Sequence, residues 1–471
     1  MVDLAFYKNK NIHIVGFLGI EGYAVLEFLL DHGITNFTVH DFIEEEKAKR
    51  AFRKYHIFWS LKKCNEKLDR ILNSGIKVYF KKSYLKDAEN ADIIFVSQAW
   101  YKYPQNKKLF NLREKGIEFD NMTNTYLRLA PCPVVAVTGS LGKTTTARMI
   151  CSILDNSEKK YYFAGNDNLR PQVLDKLDEM KKDNLLVVEV SNRQLKMTKK
   201  SPHIGIVTNI FPNHLDEHRD LADYIETKKN LLRYQGNNDF AILNSDDENV
   251  SKWKDEVESQ IKWFSLENKA DTYLEKDWLM LNKERLIKKS DLKVSGDHNI
   301  ANALAASLAC DVAGISLGMI KKGLKEFSGV LMRISLITEK NGVRYYNDLR
   351  STTPSSTKVA LESFSSPIIL VCGGGAKNLD YKNLAEVICQ KVKLLILLES
   401  DVSREIKKSL EKSNCKRLVM VEIKSAKRTS PLIKEAQKKG DIVLFSPAGD
   451  YFVRDFLEKE KINLKKIIKE I

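Results

Sequence analysis

The segment Gly139-Ser-Leu-Gly142-Lys143-Thr144-Thr145 is the strongest chemical signal in the sequence. It follows an apolar run at residues 134–137 and precedes a helical pattern. A glycine-rich turn in this position offers backbone N–H groups and a helix N-terminus to an anion, Lys143 adds a positive charge, and the Thr144 hydroxyl suits Mg²⁺. The spacing is shorter than G-x-x-x-x-G-K-[ST], because Val137 stands at the first glycine position. The motif predicts a nucleoside triphosphate site that contains Gly139, Gly142, Lys143, Thr144 and Thr145.

Four further side chains in the middle third of the chain are candidates for chemistry near this loop. Glu189 ends an apolar run at residues 185–190, where ligands bind α/β sheets, and a carboxylate suits Mg²⁺; an acid there can also cap a loop. His214 follows a predicted strand and could ligate a metal or bond substrate, with an ordinary polar loop as the alternative. Lys228 would repel Mg²⁺ as a bare ammonium, so the residues alone favour a surface lysine. Asn299 opens a helix and could meet a nucleotide or cap the helix.

Polar motifs at both ends of the chain also fit the binding of anions. Gly16, Gly19 and Gly22 precede Asp41 in a pattern similar to a dinucleotide fingerprint, but the first glycine spacing is one residue too long. NAD binding is therefore disfavoured, and a nucleotide diphosphate remains possible at this helix N-terminus. The loops 347–354 and 373–377 carry charged and hydroxyl groups after predicted strands and suit an anion, although ordinary polar turns explain them equally well.

These motifs lie in three segments in which apolar strands alternate with helical patterns. Such alternation predicts α/β domains with parallel sheets. Pro131-Cys-Pro133 reads as a linker and Ser328-Gly329 as a break, which predicts domains at 1–130, 131–329 and 330–471. The predicted strands lie at residues 11–16, 37–40, 91–97, 134–137, 185–190, 204–208, 240–243, 343–346, 368–372, 394–398 and 442–445.

Composition excludes several classes of protein. The chain has 471 residues, 43% of them hydrophobic and 30% charged, with no apolar run near the ~20 residues that span a bilayer and no signal-peptide pattern. We expect a cytoplasmic monomer without membrane contact. The net charge of +15 comes from lysines spread among acidic residues, so we expect no nucleic-acid partner. The seven cysteines are dispersed and odd in number, which argues against a disulfide framework or a zinc site and favours buried thiols.

The order of these segments resembles the Mur ligase family, whose members join amino acids to cell-wall precursors. The resemblance covers nearly the whole chain and is strongest at residues 134–304. Within the family the chain is most similar to the members that add D-glutamate to UDP-N-acetylmuramoyl-L-alanine; the pointers are segments 347–354 and 373–381 and Ser446-Pro-Ala. The resemblance implies an α/β fold of three domains: a Rossmann-like N-terminal domain for the UDP substrate, a central P-loop ATPase-like parallel-sheet domain, and a Rossmann-like C-terminal domain for the amino acid.

The resemblance also implies roles for individual residues. It implies ATP, two Mg²⁺ ions and a carbamylated lysine at Lys228, whose anionic carbamate would bind metal. Lys143, Lys228 and His214 would be catalytic. The residues implied for metal are Thr144, Glu189, His214 and Lys228; those for ATP add Asn299, Arg333 and Asp348 to the glycine loop; those for substrate are Gly16, Gly19, Asp41, Asn166, Ser191, Arg350, Thr352 and Lys377.

Four departures from the family pattern bear on substrate identity. Arg350 stands where the family usually has lysine, and Asp450 adds an acid where the D-glutamate members place small residues and a serine. Ser97-Gln98-Ala99 replaces an expected Ser-Pro-Gly, and residues 43–74 read as an insertion. The sequence therefore predicts an ATP-dependent amide ligase of peptidoglycan precursor synthesis that adds D-glutamate through an acyl phosphate. The alternatives are a Mur or folylpolyglutamate-type ligase with another amino acid or acceptor, and a nucleotide-dependent binding protein.

Overall fold

The fold is taken from a computed structural model that describes residues 2–166, 170–212, 217–294, 296–330, 332–375, 379–413, 415, 418–425, 428–449 and 464–471. Two compact units divide the chain. The first comprises Met1–Leu274, Met280–Leu286 and Leu304–Gly323, and the second comprises Glu275–Leu279, Ile287–Ala303 and Leu324–Ile471. The strands within these described residues form three sheets. The domain boundaries at residues 130 and 329 stay predictions.

The first sheet has five strands in the order β3-β2-β1-β4-β5, and every pair is parallel. Helices connect the strands, as parallel pairing requires. The elements are β1 (Ile12–Val15), α1 (Ile20–Asp31), β2 (Phe37–His40), α2 (Ala48–Tyr55), α3 (Leu61–Leu72), β3 (Lys77–Tyr79), β4 (Ile93–Val96), α4 (Lys107–Glu114), β5 (Glu118–Asp120) and α5 (Met122–Leu129).

The second sheet has nine strands in the order β14-β13-β12-β11-β10-β9-β6-β8-β7. Pairing is parallel from β7 through to β12. The elements are β6 (Val134–Thr138), α6 (Lys143–Asp155), β7 (Tyr161–Gly165), β8 (Leu185–Glu189), α7 (Asn192–Leu195), β9 (Ile204–Val207), α8 (Leu221–Lys229), β10 (Phe240–Asn244), β11 (Gln260–Ser265), β12 (Thr272–Glu275), β13 (Trp278–Leu281) and β14 (Glu284–Lys288), followed by α9 (Asp297–Val312) and α10 (Leu317–Glu326).

The third sheet has six strands in the order β15-β16-β20-β17-β18-β19. Its first pair is antiparallel and the others are parallel. The elements are β15 (Ser335–Lys340), β16 (Val343–Asn347), α11 (Pro354–Glu362), β17 (Ile368–Cys372), α12 (Lys382–Lys391), β18 (Val392–Leu398), α13 (Asp401–Glu411), β19 (Val419–Ile423), α14 (Thr429–Ala436), β20 (Ile442–Phe445) and α15 (Leu464–Glu470).

The central strands β6, β8 and β17 are apolar along most of their length, with Thr138 ending β6 and Glu189 ending β8. Every residue of β6, β8 and β17 is buried. One hydrophobic cluster runs from the first sheet into the second, and two clusters belong to the third. The predicted α/β fold class is confirmed, as are the strands predicted from apolar runs.

The expectation that every cysteine is a buried thiol is wrong for one pair. Cys389 in α12 and Cys415 beyond α13 form a disulfide, with their Cα atoms 5.4 Å apart, and the other five cysteines are free and buried. The pairing depends on the packing of α12 beside α13, which residue spacing does not reveal.

No helix within the part of the chain that the structure describes is long and apolar enough to cross a lipid bilayer.

Candidate active site

A glycine loop joins β6 to α6 and turns the chain sharply at the carboxyl end of β6, an interior strand of the second sheet. Gly139 has φ of 145° and Gly142 has φ of 85°, a region that side chains with a Cβ atom disfavour. A Cβ atom on Gly139 would also lie 1.9 Å from Thr208 Oγ1. The loop therefore requires glycine at these positions. The first backbone N–H groups of α6 follow directly after Gly142. We call residues 139–144 the phosphate loop.

The segment after β9 holds the phosphate loop in place. Leu141 N–H donates to Asn209 Oδ1 at 2.8 Å, and Ser140 N–H donates to the Asn209 carbonyl at 2.9 Å. Thr208 Oγ1 donates to the Leu141 carbonyl at 2.6 Å. These bonds fix the loop before any ligand arrives, which is the preorganisation that phosphate binding needs.

Lys143 begins α6, and its side chain folds back over the loop. Its Nζ donates to the carbonyl oxygens of Gly139 at 2.8 Å and Ser140 at 3.0 Å. Thr145 lies half-buried in the same first turn of α6. The positive charge of Lys143 therefore lies at the mouth of the loop, where phosphate oxygens would bind.

Thr144 and Glu189 place two hard oxygen donors side by side. Thr144 Oγ1 donates to Glu189 Oε1 at 3.0 Å, and both side chains are buried. Glu189 Oε2 is buried and has no hydrogen-bond partner. A buried carboxylate oxygen without a partner is unfavourable unless a cation or donor meets it. The pair fits Mg²⁺, which prefers carboxylate, hydroxyl and phosphate oxygens.

Lys228 is buried near the end of α8, with 1% of its surface exposed. Its Nζ donates to Thr138 Oγ1 at 3.3 Å and lies 4.9 Å from the centre of the Tyr224 ring. Burial, and then the nearby Lys143 charge, lower the pKa of Lys228 well below its ordinary value. The surface lysine that the residues alone favoured is therefore wrong.

Ser191 and Asn166, two predicted substrate residues, meet a third side chain. Ser191 caps α7, and its Oγ donates to Gln98 Oε1 at 2.8 Å. Gln98 Nε2 donates to Asn166 Oδ1 at 3.3 Å. The structure thus brings both predicted residues together around Gln98, which lies in the loop after β4.

Gly16 and Gly19 lie in the turn between β1 and α1, which we call the first glycine turn. Asp41 lies beside it, is buried, and accepts from Leu18 N–H at 3.4 Å and Ile43 N–H at 3.1 Å. Burial raises the pKa of Asp41 to about 6, and these hydrogen bonds oppose the rise. Backbone N–H groups of the protein therefore hold the Asp41 carboxyl group in place, and one of them, that of Leu18, lies in the first glycine turn.

The second unit holds another group of predicted residues. Asp348 is buried, and its Oδ2 accepts from Ser446 Oγ at 2.6 Å. Burial raises the pKa of Asp348 to about 6, while its hydrogen bonds and the charge of Arg333 oppose the rise. Arg350 and Thr352 are half-buried in the loop that follows.

Asn299 is buried in the first turn of α9. Its Oδ1 accepts from Asn302 Nδ2 at 3.4 Å, so the two amides share one helix face as their spacing predicts.

Three residues that the sequence singled out, His214, Lys377 and Asp450, lie outside the described residues. Their predicted roles stay predictions.

The sequence did not single out Thr138, Tyr224 or Ser446 as functional side chains, yet each contacts one that it did. Tyr224 Oη lies 2.9 Å from Ser140 Oγ in the phosphate loop, and Thr138 accepts from Lys228. The spacing of Tyr224 and Lys228, four residues apart on one helix, is the signal that could have paired them.

Two family models match the chain. The Mur ligase middle domain matches residues 137–310, and the Mur ligase glutamate ligase domain matches residues 332–449.

Similar proteins of known name span almost the whole chain. The UDP-N-acetylmuramoylalanine–D-glutamate ligase of Clostridium kluyveri is 30% identical over 97% of both chains. The enzyme of the same name from Clostridium botulinum is 32% identical over 94% of this chain and 93% of its own. Among solved structures, UDP-N-acetylmuramate–alanine ligase of Thermotoga maritima covers 96% of this chain and 99% of its own at 22% identity, with a TM-score of 0.58. MurF ligase of the same organism, solved with ADP, covers 87% of this chain and 93% of its own at 19% identity, with a TM-score of 0.59. These two solved structures therefore share the fold of this chain.

Proposed function

This chain belongs to the Mur ligase family of ATP-dependent amide ligases, and we propose that it joins D-glutamate to UDP-N-acetylmuramoyl-L-alanine during peptidoglycan precursor synthesis. The relatives that carry this name are 30–32% identical and match it nearly end to end. In this proposal residues 1–130 bind the UDP substrate, residues 131–329 bind ATP, and residues 330–471 bind the amino acid.

The single observation that carries the proposal is the geometry around the phosphate loop. Lys143 lies over the loop, and Thr144 and Glu189 lie 3.0 Å apart with one buried carboxylate oxygen lacking a partner. This arrangement suits a triphosphate with its metal better than it suits a simple phosphate or a dinucleotide.

The proposed reaction has two steps. The carboxylate of the alanine attacks the γ-phosphorus of ATP, the bond to the β-phosphate oxygen breaks, and an acyl phosphate and ADP result. The amine of D-glutamate then attacks the carbonyl carbon, phosphate leaves, and the amine loses a proton. Lys143 neutralises phosphate charge in the first step, and the preorganised loop fixes the phosphates in line.

Thr144 and Glu189 would hold Mg²⁺, and we assign His214 and the carbamate of Lys228 to metal as well, for two ions in all. Magnesium would supply charge neutralisation at the phosphate oxygens. Asn299, Arg333 and Asp348 are assigned to ATP, whereas Arg350, Thr352 and Lys377 are assigned to the amino acid.

The surroundings of Lys228 support carbamylation. Its Nζ is buried, is repelled by the nearby positive charge of Lys143, and donates to the Thr138 hydroxyl. A neutral amine attacks the carbon of carbon dioxide and releases one N–H proton to solvent, which leaves an anionic carbamate. This anion replaces repulsion from Lys143 with attraction. Labelled bicarbonate followed by carbon NMR should reveal a carbamate signal in the wild type that is missing from Lys228→Arg.

Phosphate release tests the proposed function. The assay contains MgATP, UDP-N-acetylmuramoyl-L-alanine and one amino acid at a time: D-glutamate, L-glutamate, D-aspartate, L-alanine or a diamino acid. We expect turnover with D-glutamate and little with the others. Turnover that prefers another amino acid would identify a different ligase of the family, and ADP formation without dependence on any amino acid would refute the ligase proposal.

A further inference from the structure

Gln98 links the loop after β4 to the second sheet through both ends of its side-chain amide. Its Oε1 accepts from Ser191 Oγ at 2.8 Å, and its Nε2 donates to Asn166 Oδ1 at 3.3 Å. The bonds join residues 68 and 93 positions away in sequence. One side chain therefore fixes the orientation of two polar groups that the family resemblance implies for substrate, and that we assign to the muramoyl substrate.

Glu21 in the first turn of α1 holds the backbone that carries Gln98. Its Oε2 accepts from Gln98 N–H at 2.7 Å, and its Oε1 accepts from Gln194 Nε2 at 2.7 Å. Gln194 Oε1 in turn accepts from Ser191 N–H at 2.9 Å. These hydrogen bonds form a closed ring. It runs from Ser191 to Gln98, from Gln98 to Glu21, and from Glu21 through Gln194 back to Ser191.

The direction of each bond determines what the site can offer a ligand. Ser191 directs its hydroxyl hydrogen to Gln98 Oε1 at 2.8 Å, with Gln194 Oε1 3.2 Å away, and its oxygen accepts from Gln194 N–H at 3.3 Å. One lone pair of that oxygen is therefore left for a ligand. Asn166 accepts from Gln98 through its oxygen, so its NH₂ group is the donor side of the amide. An acceptor and a donor with fixed directions suit the hydroxyl and amide groups of an amino sugar.

Gln98 stands where the resemblance to the family leads us to expect proline. Proline has neither a side-chain amide for Ser191 and Asn166 nor the backbone N–H that donates to Glu21. The two side-chain bonds therefore need an amide at position 98, whereas the backbone bond to Glu21 needs only a residue other than proline.

We propose that Gln98 is a positioning residue for the sugar-bearing substrate: it sets the directions of Ser191 and Asn166, and Glu21 holds it in place. This inference rests on the proposed function. It predicts that a change at Gln98 weakens the UDP substrate and leaves ATP unaffected.

The test compares Gln98→Met, which keeps the size of the side chain and removes both side-chain bonds, with Gln98→Glu, which keeps the acceptor for Ser191. For Gln98→Met we expect KM for UDP-N-acetylmuramoyl-L-alanine to rise about tenfold, as two lost hydrogen bonds imply, with KM for ATP and kcat changed less than about threefold. Gln98→Glu should recover part of the loss. Glu21→Gln, which keeps one acceptor of two, should raise the same KM by about threefold.

Gln235→Met is the matched control. Gln235 is buried, whereas Gln98 is half-buried, and its side chain makes three hydrogen bonds, to the Pro202 and Phe240 carbonyls and with Ser259. Its loss should therefore lower thermal stability. It should leave KM for the UDP substrate unchanged. If Gln98→Met behaves like this control, or if KM for ATP rises in parallel, Gln98 is structural and the inference is wrong.

The outcomes separate the inference from the proposed function. Wild-type phosphate release that requires both substrates supports the function whatever the variants do. Wild-type turnover with an unchanged KM in both Gln98 variants overturns the inference alone, whereas absence of wild-type turnover overturns both.

Discussion

The phosphate loop and the first glycine turn follow the same path from strand through glycine turn to helix, but different charges surround them. At the phosphate loop Lys143 lies over the backbone, and Thr144 bonds a partly unpartnered Glu189. At the first glycine turn the carboxyl group of Asp41 accepts from Leu18 N–H in the turn and from Ile43 N–H after β2. Glu21 in the first turn of α1 accepts from Gln98 and Gln194.

The difference teaches that the path of a glycine turn does not by itself determine its ligand. A helix N-terminus attracts negative charge, and the protein's own carboxylates can supply that charge as well as a ligand can. At the phosphate loop the N-terminus of α6 stays open to a phosphate, and Lys143 adds a positive charge. The first glycine turn, which contains no basic residue from Gly16 to Gly22, uses carboxylates to order its neighbours. Four predictions test this contrast.

Lys143→Ala should have the largest effect. Removal of the cation at the mouth of the loop should lower turnover by about 10³-fold or more, because charge neutralisation is the main task in phosphoryl transfer. Phosphate release and calorimetric titration with MgATP measure the loss. Lys254→Ala, on an exposed lysine, is the control and should behave as wild type. A Lys143→Ala variant that keeps its turnover would remove the loop from the reaction.

Glu189→Gln should come next. The amide keeps the shape of the side chain but removes the negative charge, so turnover should fall by about 10²- to 10³-fold and the Mg²⁺ concentration needed for half-maximal rate should rise. A magnesium titration of phosphate release measures both quantities. An unchanged magnesium requirement would mean that Glu189 does not meet the metal.

Gly139→Ala and Gly22→Ala compare the two turns directly. A Cβ atom at Gly139 would lie 1.9 Å from Thr208 Oγ1, and one at Gly22 would lie 2.5 Å from the Gly16 carbonyl oxygen. Each should destabilise the protein by about 2–3 kcal/mol, since neighbouring atoms must move. MgATP binding should be lost with Gly139→Ala and kept with Gly22→Ala.

Thermal unfolding and calorimetric titration with MgATP check the glycine pair, with Gly236→Ala as the control because nothing lies within 4 Å of its added Cβ. Equal loss of MgATP binding in Gly139→Ala and Gly22→Ala would contradict the contrast between the turns.

The sequence predicted the fold well where the signal is local. The strands β6, β8 and β17 are apolar along most of their length because every residue in them is buried, and each was predicted from its residues alone. The strands that were missed are shorter or partly exposed. Val419 and Met420 in β19 are exposed, and β3 has no buried residue, so neither carries the apolar run of a central strand.

The site was less predictable because its contacts join distant segments. The motif located Lys143 and Thr144. The burial of Lys228 depends on how α8 packs, and the repulsion between a bare ammonium and Mg²⁺ favoured a surface residue instead. The bond from Gln98 to Ser191 spans 93 positions and has no counterpart in local spacing. Only the departure from Ser-Pro-Gly marked Gln98 as unusual, and it gave no partner.

Asp41→Asn should have the smallest effect, and the effect should depend on pH. Burial raises the pKa of Asp41 in the folded chain to about 6 from its ordinary value of 3.8, so the folded state binds more protons than the unfolded state between these values. Wild-type stability should therefore decline as pH rises from about 4 to about 6 and level off above that range. The variant lacks this titration, so its stability relative to wild type should improve by about 1–2 kcal/mol over the same interval.

Thermal midpoints of the wild type and Asp41→Asn, measured at steps from pH 4 to pH 7, check this prediction. At low pH the variant should be the less stable protein, because an amide oxygen replaces only part of a carboxyl group that accepts from both Leu18 and Ile43. Asp348, whose pKa burial also raises to about 6, titrates in both proteins, so Asp41→Asn should lessen the decline of the thermal midpoint without abolishing it. A constant difference between the two midpoints would show that Asp41 stays charged throughout, and the first glycine turn would then hold a permanent negative charge that a diphosphate would have to overcome.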